Sequence, residues 1–307
     1  MLTQFLTDIW LVYRSVFEFA LIGSALGLSI YITLRTGLLS LASAGFMSIG
    51  AYVGALLTIH LHTPLLVSVL AGALAAGVIG LLLGLPVLRL SGVYLAIATI
   101  GFGEVVRVFM LNIDNLAGRT ITGGALGLNN IPRKTETWHL VLFVGLLIYL
   151  FVRIDRSRTG RAFDAIRQDH HVAASMGINV VQYRNLAFVL SALIAGAAGV
   201  FSAHLTYFVS PNEYGFNGAV RILTFAILGG YLIWLGPIVG AFILTFLPEL
   251  LRFLGPYRPI VNGVVLILAI IYLPRGLVDP TFWRKVWRQR GKPPSPPPLE
   301  TSSEAAP

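Results

Sequence analysis

Cysteine is absent from the 307 residues, which excludes disulfides, thiolate nucleophiles and cysteine-held metals. Charge is scarce too: Asp, Glu, Lys and Arg fill 11% of positions, against roughly 25% in a soluble domain. A soluble core of this size would expose more charge than the chain possesses. No G-x-x-x-x-G-K-[ST] loop occurs, because Gly291-Lys292 is followed by Pro293, so any ATP hydrolysis must come from another chain. G-x-S-x-G is missing as well, and the acids inside apolar runs stand singly, so a membrane hydrolase's nucleophile, base and orienting group cannot be assembled. His170 and His171 are adjacent and on a helix would point about 100° apart, unlike a metal-binding i, i+4 pair. The expectation is a protein that is no enzyme, with no catalytic residue, metal or cofactor. Met1 to Tyr13 holds Asp8 but no Lys or Arg, so it lacks the basic region of a cleaved secretory signal and the first span is expected to be kept.

What the chain has is apolar length. Apolar residues make up 56% of positions and the mean hydropathy is +0.80, which marks an all-α, polytopic membrane protein. At roughly 20 residues per span, about nine fit: Arg14 to Leu34, Leu38 to Ile59, Pro64 to Leu88, Gly92 to Leu111, Trp138 to Ile154, Leu186 to Phe208, Val220 to Trp234, Pro237 to Leu254 and Ile260 to Leu273. The weakest boundaries lie at 37–50 and 229–237. The net charge of +9 is spread beside apolar runs and forms no stripe, so it argues orientation rather than nucleic-acid binding. With the polar island of residues 155–184 in the cytosol, Arg35, Arg89, Arg275 and the basic tail fall on the same side. An odd span count then leaves the N-terminus outside and the C-terminus cytosolic. Residues 1–280 read as the membrane domain. Within 281–307, TFWRKVWRQRGK suits a helix on anionic membrane lipid, and the Pro-rich end reads as disordered.

The island DRSRTGRAFDAIRQDHHVAASMGINVVQYR needs a role, since nearly everything flanking it reads as membrane. Phe163, Ile166, Ala173 and Met176 recur at helical spacing, Asp164 and Arg167 can pair across one turn, and Gly177 before Ile178 is a helix stop. These predict one amphipathic helix of about four turns over 161–176. From composition alone it is either an interfacial or solvated helix, or a docking element. The run GRAFDAIRQDHHVAASMGINVVQYRNLAFVLSALIAGAAG resembles the permease subunits of ABC importers for branched-chain amino acids, the LivM type, and the similarity extends from about Gly37 to Gly276. The resemblance implies a coupling helix that docks on a cytosolic ATPase, presenting Gly160, Arg161, Ala165, Arg167 and Asp169, with Gly177 setting its end.

Two further stretches acquire meaning beside it. Gly37 to Ala55 carries Gly45 and Gly50 among small residues, which suits either tight helix packing or a broken helix lining a cavity. In Gly92 to Arg107, Glu104 and Arg107 share a helical face and should pair, either structurally near the outer interface or on a substrate path. The resemblance makes Gly45, Gly50, Tyr94, Glu104 and Arg107 candidates for that path. Glu249 and Arg252 repeat the spacing, as an internal duplication would. Thr122 to Leu128, TGGALGL, is expected in an outer loop where a periplasmic binding protein would dock. His204 and Arg221 receive no role.

The expectation is an inner-membrane ABC-importer permease for branched-chain amino acids, working with ATPase subunits, a second homologous permease and a periplasmic binding protein. Alternatives are a permease for urea or short amides and, from other classes, an ion-coupled secondary transporter or a membrane enzyme. An ion-coupled carrier would call for acids facing each other at mid-membrane, and Glu104 and Glu249 lie near span ends.

Overall fold

Lipid offers no partners for backbone N–H and C=O groups, so long apolar runs must satisfy them internally, as helices. The computed structural model describes residues 2–117, 121–251, 263–264, 267 and 276–278, and among these no strand occurs. The helices are α1 (Leu2–Arg35), α2 (Ser43–Leu61), α3 (Leu65–Val87), α4 (Gly92–Ala117), α5 (Thr137–Asp155), α6 (Arg158–Gln168), α7 (His170–Ser175), α8 (Val180–Thr206), α9 (Phe216–Gly229) and α10 (Leu235–Leu250), with short 3₁₀ turns at Gly124–Leu126 and Pro211–Tyr214.

Among the described residues six helices, α1 to α5 and α8, are long and apolar enough to cross a membrane. The expected spans Val220 to Trp234 and Pro237 to Leu254 correspond to α9 and α10, of 14 and 16 residues. At about 1.5 Å per residue α9 spans roughly 21 Å, short of a hydrocarbon layer about 30 Å thick. Gly230 breaks the run: its φ of 104° suits glycine, and a Cβ at Gly229 would meet the Gly236 carbonyl, so α9 and α10 fold back closely on each other. The carbonyls of Leu228 and Gly229 at the end of α9 accept from the N–H groups of Leu277 and Val278. The expected span Ile260 to Leu273 lies outside the described residues apart from 263–264 and 267, and Arg252 and the whole 281–307 tail lie outside them too.

Burial divides the helices. The apolar window of α1 is 83% buried and those of α2 and α8 are mostly so, whereas that of α5 is 22% buried, so α1, α2 and α8 are central and α3, α4 and α5 peripheral. Without a hydrophobic drive between helices in lipid, close packing must hold them together. Small residues permit it: a Cβ on Gly50 would lie 2.1 Å from the Gly196 carbonyl, and one on Gly199 equally near that of Met47. Residues 36–42, between α1 and α2, are non-helical yet largely buried, with the Leu41 N–H donating to Thr99 Oγ1 at 3.0 Å. Irregular backbone is thus covered by protein.

Candidate functional site

The polar island folds as two short helices and the start of α8, each opened by its own cap. Ser157 Oγ accepts the Gly160 N–H at 3.2 Å and begins α6. Asp169 adopts extended backbone, and its carboxylate accepts the N–H groups of His171 at 2.8 Å and Val172 at 3.1 Å, beginning α7. Asn179 Oδ1 accepts from Gln182 at 3.1 Å, beginning α8. The single helix expected over 161–176 is therefore corrected to α6 and α7, parted at Asp169, whose side chain offers the backbone a better partner than continued helix does. The stop at Gly177 is as expected: φ is +83°, the Gly177 N–H bonds to the Ala174 carbonyl and the Ile178 N–H to that of Ala173. Two backbone donors hold the Asp169 carboxyl below the usual carboxylate range.

Phe163, Ile166 and Ala173 are buried as the spacing predicts, and Phe163 meets the Tyr183 ring edge-on at 6.1 Å. Met176, expected on that face, is 77% exposed, because the break at Asp169 rotates α7 out of phase with α6. Val172 and Val181 are exposed beside it. Gly160 also departs from expectation: it is buried, and a Cβ there would lie 2.3 Å from the Ile154 carbonyl, so it packs inward and presents nothing outward. Arg161 and Asp169 stand exposed, and Ala165 and Arg167 half-buried.

Asp164 does not pair with Arg167 as expected. Both its carboxylate oxygens accept from Arg35 at the end of α1, from Nε at 3.0 Å and Nη2 at 2.9 Å, while Arg35 Nη1 also bonds Asp155 at the end of α5. Sequence reasoning used Arg35 only as a sign of orientation. Its partners lie 129 and 120 residues away, so nothing local marked them.

On α4, Glu104 and Arg107 do pair, at 2.6 Å. The second Glu104 oxygen accepts the Phe216 N–H at 2.9 Å, and Arg107 Nη1 donates to Asn212 Oδ1 at 3.2 Å. The pair thus joins α4 to the turn before α9 and caps that helix. Of the other candidates, Gly45 abuts the Phe102 ring of α4, Gly50 abuts Gly196 of α8, and Tyr94 is 75% exposed. Only Glu104 and Arg107 meet among the five, since Tyr94 sits about 15 Å along the helix from Glu104.

His204, given no role, is fully buried and bonds Thr58 Oγ1 at 2.9 Å; Thr58 meets Ser68, and Ser68 meets Thr63, joining α8, α2 and α3 through hydroxyls. In the outer-loop stretch, Thr122 is buried and bonded to Asp114, while the backbone of Leu128 bridges Val209.

Residues 14–273 match a family model described as the permease component of a branched-chain amino acid transport system. The high-affinity branched-chain amino acid transport system permease protein LivM of Escherichia coli (strain K12) is 34% identical over 290 residues, covering 83% of this chain and 67% of LivM. LivH of the same strain, described as a permease protein of that system, is 31% identical over 143 residues, covering 46% of each chain. The autoinducer 2 import system permease protein LsrC of Enterobacter sp. (strain 638) is 26% identical over 223 residues, covering 69% of this chain and 63% of LsrC. No solved structure matches.

Proposed function

The chain belongs to the family of branched-chain amino acid transport permeases, and from that premise we propose that it passes branched-chain amino acids through an inner-membrane ABC importer by coupling ATPase motion to its helices. The observation that carries this reading is the match over residues 14–273, which takes in six helices long enough to span and the twice-capped insertion between α5 and α8. With no phosphate-binding loop in the chain, the work must come from ATPase subunits. LivM and LivH both carry permease names and both resemble this chain, which supports a second homologous permease as partner. A periplasmic binding protein would deliver the amino acid at the Thr122–Leu128 side.

In this reading α6 and α7 face the ATPase with Arg161, Ala165, Arg167 and Asp169, beside apolar Val172 and Met176. Gly160 and Gly177 shape the element from behind and at its end. The path runs along α4, past Tyr94 and the Glu104–Arg107 pair, while Gly45 and Gly50 set how closely α2 approaches α4 and α8. Proteoliposomes holding this chain, its partner permease, the ATPases and the binding protein test the assignment. ATP-dependent uptake of leucine in clear excess over urea and a neutral sugar is expected; equal or greater uptake of urea would overturn it.

A further inference from the structure

We propose that Arg35 is the joint through which movement of α6 reaches the transmembrane core, a positioning role that rests on reading α6 and α7 as the ATPase contact. Three elements converge on this one side chain. Its guanidinium grips Asp164 of α6 with two donors and Asp155 of α5 with a third, and the Arg35 side chain is only 9% exposed. One residue beyond Thr36, a Cβ on Gly37 would lie 3.7 Å from Arg167 Cα, so the turn ending α1 rests on the α6 backbone. One turn before it, Tyr31 packs edge-on against Phe151 of α5 at 5.6 Å.

What lies at the other end of this contact makes it a route for force. α1 is the most enclosed spanning helix and packs on α5, α6, α8, α9 and α10. The covalent route from α6 toward α8 passes two interruptions, at Asp169 and at Gly177, each a change of backbone direction. Force through that route bends the breaks first. A planar fork held by two oxygens of one carboxylate fixes both distance and orientation, which a lysine ammonium, as a point charge, cannot do. Displacement of α6 therefore carries α1 along, and with it the helices packed on α1.

The test uses the whole reconstituted complex and three variants: Arg35→Gln, Arg35→Lys, and the neutral triple Arg35→Gln, Asp155→Asn, Asp164→Asn, which buries no unpaired charge. A brace would lower assembly and leave the ratio of leucine imported to ATP hydrolysed unchanged. The joint predicts the reverse: ATPase subunits still co-purify and hydrolyse, while that ratio falls about tenfold or more in Arg35→Gln and in the triple, and less in Arg35→Lys, the scale expected for losing one coupling contact. If Arg35→Gln is not recovered from membranes, the triple decides, and a wild-type ratio in it overturns the proposal. Because the chain has no native cysteine, spin labels at Gln168 on α6 and Ser15 on α1, each measured against Leu74 on α3, give a readout free of cargo. ATP should shift both labels in the unaltered complex and only Gln168 in the triple; an equal shift of Ser15 in both would overturn the joint. A wild-type complex that moves both labels but imports no leucine would count against the proposed cargo and for the joint.

Discussion

Glu104 makes a bond to each side: Arg107 one turn away on α4, and the first N–H of α9 across the chain. Removing either charged partner frees the other, and replacing Glu104 also weakens the cap on α9, whereas removing both loses the bond once. Glu104→Gln and Arg107→Gln should each lower stability by about 1 kcal/mol, the figure held down because both side chains are about a third exposed. The double variant should fall short of the sum by at least ~0.5 kcal/mol, measured by denaturation in mixed micelles, and strict additivity would show that the pair does not interact. Asp169 adds a pH dependence with a definite sign. Its carboxyl is held below its ordinary value by the His171 and Val172 amides, so it favours the folded α7 above the normal carboxylate range, and that support disappears as pH falls through the lowered value. Protection of the amides at residues 171 and 172, taken relative to their intrinsic exchange rates, should fall there in the native chain; in Asp169→Asn, which caps without titrating, that loss of protection should be absent. The i, i+3 spacing made the Glu104–Arg107 pair legible in the sequence, but the Phe216 amide, 112 residues away, was not. The Arg35 fork was hidden for the same reason, since pattern reading sees one turn and the fold joins distant ends.

Among elements, the island was half legible. Apolar spacing placed Phe163, Ile166 and Ala173 inward and glycine marked the stop, because these depend only on helix period and on the left-handed residue that closes a helix. The break at Asp169 was not, since Asp continues a helix or caps one depending on whether the next amides find it. Two variants separate the surface of α6 from the angle of α7. Ala165→Trp adds bulk to a half-buried position between the exposed charges, and should reduce co-purification of the ATPases several-fold and abolish uptake while leaving membrane insertion unchanged. Retained ATPase binding together with substrate-stimulated hydrolysis would remove the docking assignment and return α6 to an interfacial role. Gly177→Val forces a β-branched residue to φ near +83°, so ATPase binding should persist while uptake falls. The glycines of α2 were read with packing and pathway both open; the approach of Gly50 to the Gly196 carbonyl is packing, and Gly50→Val should prevent accumulation of folded protein in the membrane.

For the whole molecule, the all-helical class followed from apolar length, and the matched family follows from residues spread over most of the chain. Span count was less accessible: a glycine pair ends α9 after 14 residues, which hydropathy cannot register because both halves are apolar. Orientation rests on where Lys and Arg fall, and it fixes a labelling experiment in a chain without native cysteine. Thr122 would be a poor outer probe, being buried against Asp114, whereas Leu126 in the same loop is 81% exposed. On the other side Ser175, exposed at the end of α7, serves. Only α5, α6 and α7 lie between Leu126 and Ser175 in sequence, and of these α5 alone is long enough to span, so a crossing by α5 would put the two positions on opposite faces. An impermeant thiol reagent added to intact cells should label Leu126→Cys and leave Ser175→Cys unmodified until the membrane is opened. Labelling of Ser175→Cys from outside would invert the molecule, remove α6 and α7 from the reach of any cytosolic ATPase, and take the Arg35 joint with them.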